Sequence, residues 1–170
     1  MEPKAILDFI CRRRSVRRYQ KKEIPRETLD VLMKAAMAAP SGNNVQPWEF
    51  VIVQDSLAKE ALSRVHPWVH MAAGAPAAIV VLGDQSSEWW QDDCAAATEN
   101  LLLAAANLGL GAVWCGIKES QAPAVRKILN VPANREVLCI VPIGYPAESP
   151  PSHTKYRQDK IHRDIYGQGF

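Results

Sequence analysis

Five arginines surround one serine near the start of the chain, in the stretch RRRSVRR from Arg12 to Arg18. Guanidinium forks meet phosphate oxygens two at a time and a serine hydroxyl adds a donor, so the cluster of Arg12, Arg13, Arg14, Arg17 and Arg18 around Ser15 has the chemistry of a phosphate clamp. The same residues suit a solvated helix end, where cations are favoured by the negative pole of the dipole. A second basic pair, Lys155 and Arg157, stands in the tail. The stretch APSGNNVQPW, from Ala39 to Trp48, offers amides and hydroxyls that donate and accept, with Gly42 allowing close backbone approach. Such a loop can read the edge of a flat heterocycle. Turn composition is its simpler explanation, but that leaves Gln46 and Trp48 unaccounted for.

The remaining reactive groups carry less. Cys11, Cys94, Cys115 and Cys139 lie far apart, with no Cys-x-x-Cys pair and no histidine at zinc-ligand spacing. Neither a disulfide framework nor a metal centre is expected, and reduced thiols in a cytosol are. Cys115 is read as packing. His66 and His70 in HPWVH are four residues apart, yet Pro67 interrupts a regular helix and no third ligand is evident. Together with Trp68 they suit the mouth of a substrate site. Asp92, Asp93 and Glu99 are read as satisfying a helix dipole and lining its polar face, not as an acid–base pair. Trp89 and Trp90 are read as exposed, in a lid or interface.

The elements that must hold these residues follow from periodicity. Ile6, Phe9 and Ile10 predict a short helix running into the arginines. IPRETLDVLMKAAMAA predicts a second, with Pro25 in its first turn, Leu29, Leu32, Met33 and Ala36 on one face, and Pro40 as its stop. EFVIVQD reads as a strand, and Asp55 or Ser56 caps the helix LAKEALSRV. PAAIVVLGD is the continuous apolar run of a strand buried on both faces. Asp92 to Leu108 is the longest helical signal, with Ala95, Leu101, Leu102, Ala105 and Leu108 apolar. AVWCG and EVLCIVPIGYP read as strands and APAVRKILN as a helix between them. The prediction is an α+β fold, a central sheet of four or five strands wrapped by helices, without the G-x-G-x-x-G turn of a dinucleotide-binding βαβ unit.

A chain of 170 residues suits one domain, 1–170. Twenty basic against 18 acidic side chains leave +2, too weak a field to argue for nucleic acid or an anionic membrane. The N-terminus MEPKAILDFICRRRS lacks the apolar core of a signal peptide, and the most apolar stretches are too short or interrupted to span a bilayer. A cytoplasmic location is expected. Beyond the Pro-rich PAESPPS, the tail 152–170 carries Tyr156, Ile161, Ile165 and Tyr166, too apolar for a free end and suited to docking on a second subunit.

Taken in order, RRSVRRY, APSGNNVQPWEFVIV, DCAAATENLLLAAANLGLGAVWCG, VPIGYPAE and the tail's Lys-x-Arg resemble the FMN-dependent nitroreductase superfamily over nearly the whole chain. The resemblance implies an intertwined homodimer with two FMN sites at the interface and a C-terminal extension embracing the partner. It implies that Arg13, Arg14 and Ser15 meet the phosphate and ribityl chain, that Lys155 and Arg157 close the phosphate site, and that Arg17 lies by the N1 and O2 side of the flavin. Pro40, Ser41, Gly42, Asn44 and Gln46 would come from the other subunit, and Trp114, Cys115 and Gly116 would supply a backbone amide toward N5. The implied activity is hydride transfer from NAD(P)H through the flavin to a nitroaromatic, quinone or similar acceptor, with no catalytic side chain. The chain is shorter than the better-known nitroreductases and lacks much of their helical insertion. Three other readings stand beside it: a flavin carrier or redox-responsive module without efficient turnover, a nucleic-acid binder using the arginines, and a specialised flavin chemistry such as dehalogenation.

Overall fold

The run AAIVVLGD forms β2 (Ala77–Asp84), which lies between two antiparallel neighbours, β1 (Trp48–Val53) and β5 (Arg135–Gly144). The computed structural model describes residues 3–151 and 155–169. Its sheet has five strands: β1, β2, β5 and β3 (Gly111–Ala112) in that order, with β4 (Cys115–Gly116) also on β5. AVWCG therefore forms two short pieces on β5 instead of one strand. The helices are α1 (Pro3–Arg12), α2 (Arg26–Met37), α3 (Ser56–Ser63), α4 (Trp90–Asn107) and α5 (Ala122–Leu129).

Side chains alternate across a strand, so β2 serves two cores at once. Ala77, Ile79 and Val81 join the cluster with Leu29, Leu32 and Ala36 of α2 and Ala97, Leu101 and Ala105 of α4. Ala78, Val80 and Leu82 join the other, with Leu62 of α3, Val69 and Met71 of a 3-10 segment, and Val125 of α5. The predicted face of α2 is buried at Leu29, Leu32 and Ala36 with Met33 half-buried, and that of α4 at Leu101, Leu102 and Ala105, whereas Ala95 is half-exposed and the buried Cys94, Ala97 and Thr98 lie off the predicted face. Two further details differ from the sequence reading. Leu108 is 38% exposed beyond the end of α4, and α2 ends at Met37, three residues before Pro40. Asp55 caps α3, its carboxylate accepting the Ala58 N–H at 2.8 Å. Lys59 is an unanticipated buried cation; its ammonium donates to the Ala75 and Pro76 carbonyls at 2.6 and 3.1 Å. Among the described residues no helix is long and apolar enough to cross a membrane.

The chain divides into two compact units, Arg13–Pro150 and Met1–Arg12 with Pro151–Phe170. The first of these units is the larger, and α1 is grouped with the residues from Pro151 on. Within that second unit, a 3-10 turn spans Gln158–Lys160, His162 bridges Gly169, and the His162 and Tyr166 rings lie 4.3 Å apart. Tyr156, Ile165 and Tyr166 are exposed. The part of the expected tail at 152–154 lies outside the described residues.

At the β3 edge the backbone after α1 is stitched to the sheet: the Val16 N–H donates to the Ala112 carbonyl at 3.0 Å. Gly111 makes room for it, because a Cβ there would fall 2.6 Å from Val16. Replacing Gly111 by alanine should therefore force this segment off the edge, lowering unfolding stability by about 1–3 kcal/mol. Urea titration measures this, and an unchanged midpoint would show that the contact yields freely.

Candidate functional site

The arginine segment is fastened along its whole length by backbone bonds. Besides the Val16–Ala112 bond, Gln20 donates to the Tyr145 carbonyl at 2.9 Å and Ala147 to the Arg18 carbonyl at 2.9 Å. The Glu148 carboxylate accepts both the Arg17 and Arg18 amides, at 2.6 and 3.2 Å. Tyr19, largely buried, places its hydroxyl 2.6 Å from the Val16 carbonyl and 3.0 Å from that of Pro142, and burial pushes its pKa up. With the backbone amides of Arg17 and Arg18 occupied, both side chains remain exposed.

Arg13 and Arg14 are partly buried. The Arg13 Nε lies 3.4 Å from Glu99 Oε1 on α4, and Arg14 Nη1 donates to the Arg13 carbonyl at 2.7 Å. Ser15 enters a parallel bridge with Ala112, so its backbone helps seat the segment while its side chain is half-exposed. Sequence reasoning missed Glu148 and the pairing role of Glu99. Both stand in stretches that carry the resemblance, but nothing local marks them as partners of the arginines, and only the fold brings them there.

The same edge carries Trp114, Cys115 and Gly116. Val113 donates to Pro142 and Ile117 to Leu138, at 3.3 and 3.1 Å. An antiparallel ladder alternates inward and outward pairs, so Ala112, Trp114 and Gly116 turn their N–H and C=O groups away from β5. At Ala112 that outward carbonyl takes the Val16 N–H. Gly116, exposed and opposite Cys139, presents an outward N–H two alternations further along. Cys115 points the other way, its thiol donating to the Trp68 carbonyl at 3.0 Å. Burial pushes that thiol up to about 11, and the positive field of Arg17 acts against the rise. The charge of Arg17 is thus felt at the Cys115 thiol.

The loop after α2 is fastened to α4 instead. Gly42 donates to Asp93 Oδ1 at 3.0 Å, and a Cβ on Gly42 would fall 2.9 Å from Trp89 Cδ1. Ser41 Oγ accepts the Gln46 N–H at 3.0 Å, and Gln46 Nε2 donates to Asn44 Oδ1 at 3.2 Å. Asn43, Asn44 and Gln46 all have positive φ, between 50 and 57°. Pro40 and Asn44 are exposed, while Pro47 and Trp48 are buried and anchor the loop to β1. Beside the loop is a cavity of about 380 Å³ bordered by Gln46, Trp48, Ser86, Trp89 and Arg135, the last paired with Glu49 and Asp84 at 2.6 and 3.0 Å.

Several secondary expectations are corrected. Asp93 is buried, not on a polar face. Trp90 packs on the core, its ring where a Cβ on Gly83 would be 2.3 Å away, whereas Trp89 is half-exposed as expected. His66 accepts the Trp68 N–H at 3.2 Å and His70 lies 2.8 Å from the Pro67 carbonyl, and no metal-holding group occurs among the described residues. In the second unit Lys155 is exposed, and Arg157 Nε donates to Asp159 Oδ1 at 3.0 Å.

The Nitroreductase family model matches residues 10–69 and 59–145. A relative from Methanothermobacter thermautotrophicus, named "Putative NADH dehydrogenase/NAD(P)H nitroreductase", is 39% identical over 163 residues, covering 92% of this chain and 85% of its own. One from Thermotoga neapolitana, named iodotyrosine deiodinase, is 29% identical over 177 residues, covering 89% of this chain and 94% of its own. The solved structure of an FMN-dependent nitroreductase from Clostridium difficile superposes with a TM-score of 0.89 at 30% identity, over 94% of this chain and 99% of that one. On the family match across most of its length, and on relatives that share both its sequence and its sheet, the chain belongs to the nitroreductase family.

Proposed function

We propose that this protein is an FMN-dependent oxidoreductase that takes reducing equivalents from NAD(P)H and passes them to a nitroaromatic, a quinone or a similar acceptor. The observation that carries it is one sheet edge bearing two complementary groups: the Arg13–Arg17 segment, seated by Val16 on Ala112, and the outward N–H of Gly116. The donor set fits the cofactor. Guanidinium groups and the Ser15 hydroxyl match a phosphate, and Arg17 offers positive charge beside a segment with an outward backbone donor. Bound there, FMN supplies reversible two-electron chemistry between nicotinamide and acceptor, for which no side-chain nucleophile is required.

Arg13, Arg14 and Ser15 hold the phosphate end, with Lys155 and Arg157 adding charge from the tail. Arg17 stabilises negative charge on the ring, and Trp114, Cys115 and Gly116 orient it by backbone. Pro40, Ser41, Gly42, Asn44 and Gln46 serve the cofactor of a second subunit in a homodimer. The Ser41 hydroxyl accepts within its own loop but keeps its proton to donate. The exposed apolar side chains of Tyr156, Ile165 and Tyr166 are the surface the dimer covers.

The similarity to an iodotyrosine deiodinase supports a second reading, reductive dehalogenation at the same site. A flavin-binding module without turnover is the other alternative.

The purified protein should be yellow and release FMN, and NADH or NADPH should bleach it under anaerobic stopped flow. Bound flavin that millimolar nucleotide leaves oxidised would favour the binding module. Arg13→Ala should weaken FMN binding by about tenfold or more, since a charge-assisted contact contributes roughly 1.5–3 kcal/mol; unchanged affinity by fluorescence titration would remove Arg13 from the clamp. At about pH 7 a thiol with a pKa near that of Cys115 is thiolate in fewer than about one molecule in a thousand. Iodoacetamide should therefore modify exposed Cys11 and spare Cys94, Cys115 and Cys139 in the folded protein, as read by peptide mass spectrometry. Rapid labelling of Cys115 would instead indicate a redox thiol.

A further inference from the structure

Asp93 stands in the first turn of α4 and is only 6% exposed. Its Oδ1 accepts the Gly42 N–H at 3.0 Å, while Oδ2 is buried with no hydrogen-bond partner among the described residues. A buried carboxylate satisfied on one oxygen only works against the stability of a fold. The helix dipole does not require it, because exposed Asp92 already places a carboxylate at this end of α4.

Across the same hydrogen bond is a second unfavourable feature. Asn43, Asn44 and Gln46 hold φ of 50, 57 and 53°, the left-handed region; asparagine tolerates it best after glycine, so the strain falls chiefly on Gln46. Such conformations persist where the surroundings hold them. Among the described residues the other hydrogen bonds of Ser41–Gln46, the Asn44 N–H to the Ser41 carbonyl, the Val45 N–H to the Gly42 carbonyl, Gln46 to Ser41 and Gln46 to Asn44, close it on itself without fixing it to the body. At its far end Pro47 and Trp48 are anchored; at its near end stand Asp93 and the Trp89 ring, which leaves no space for a Cβ on Gly42.

We propose that Asp93 is a positioning residue: its carboxylate latches Gly42 to the start of α4 and so holds Ser41–Gln46 in the left-handed conformation that meets the flavin. The flavin part of this rests on the function proposed above; the latch itself does not. A residue retained only for the fold would lose stability when removed. A residue retained to hold a strained loop would lose cofactor affinity while the fold stays about as stable.

The full chain is compared with Asp93→Ala, Asp93→Asn and Gly42→Ala. Amide hydrogen exchange of the apoprotein should show the Gly42 amide exchanging about tenfold or more faster in D93A, with D93N restoring protection through its carbonyl oxygen. FMN affinity should fall about tenfold in D93A and recover in D93N, while the melting temperature of D93A stays within a few degrees of the parent. G42A, which keeps Asp93 but drives a Cβ into Trp89, should open the residue-42 amide to exchange in the same way, and it decides the matter if D93A does not fold. Unchanged exchange of this amide in D93A or G42A overturns the latch, whereas FMN affinity unchanged in D93A, or a melting temperature that falls in step with affinity, overturns its role in holding the loop for flavin. Parent protein that binds no FMN would instead sink the proposed function, with the exchange measurement still deciding the latch.

Discussion

Backbone hydrogen bonds, first among them that from the Val16 N–H to the Ala112 carbonyl, tie the charge of this protein to its sheet. That first bond depends on ladder alternation, which turns Ala112 outward from β5, and on Gly111, which has no side chain to hold Val16 away. Once the bond is made, the direction of Arg13 to Arg18 is set. Glu148 and the Tyr145 carbonyl then continue the attachment, and the same alternation brings the outward Gly116 N–H onto the edge that the arginines share. Phosphate-type donors and a lone backbone donor are thus placed by one periodicity.

Helix α4 supplies the second reference frame. Its inner face, with Ala97, Leu101 and Ala105, is buried against β2, so the helix is rigidly placed by the core. Asp93 in its first turn holds the loop at Gly42, and Glu99, six residues and about 9 Å further along, meets Arg13. These two acids diverge around the helix axis, so the loop and the arginines are held by different sides of one element.

Much of the fold was legible because its signals are local. The continuous apolar run at Ala77–Leu82 could only be a strand covered on both sides, and the spacing of Leu29, Leu32 and Ala36 marked the buried side of α2 before any packing was known. AVWCG was legible as extended but not as two pieces, because its division arises from pairing with β5. Trp90 was misjudged because its cover comes from Gly83 on another strand, a neighbour that no window of sequence contains. The site divides similarly: the arginine cluster and the loop announce themselves by composition, whereas Glu99, Glu148 and Asp93 gain their roles from distant residues.

The sequence by itself determined the inventory: which residues can bind a phosphate, which loop can open its backbone, and which runs must be buried, since residue type and periodicity act over a few positions. Tertiary structure alone decided the pairings. It brought the charge of Arg17 to bear on Cys115, turned Gly116 outward, buried Asp93 with one oxygen unpartnered among the described residues and set Trp89 against Gly42. Each of these rests on an interaction between segments roughly 20 to 100 residues apart, and contact at that separation is fixed only when the whole core closes.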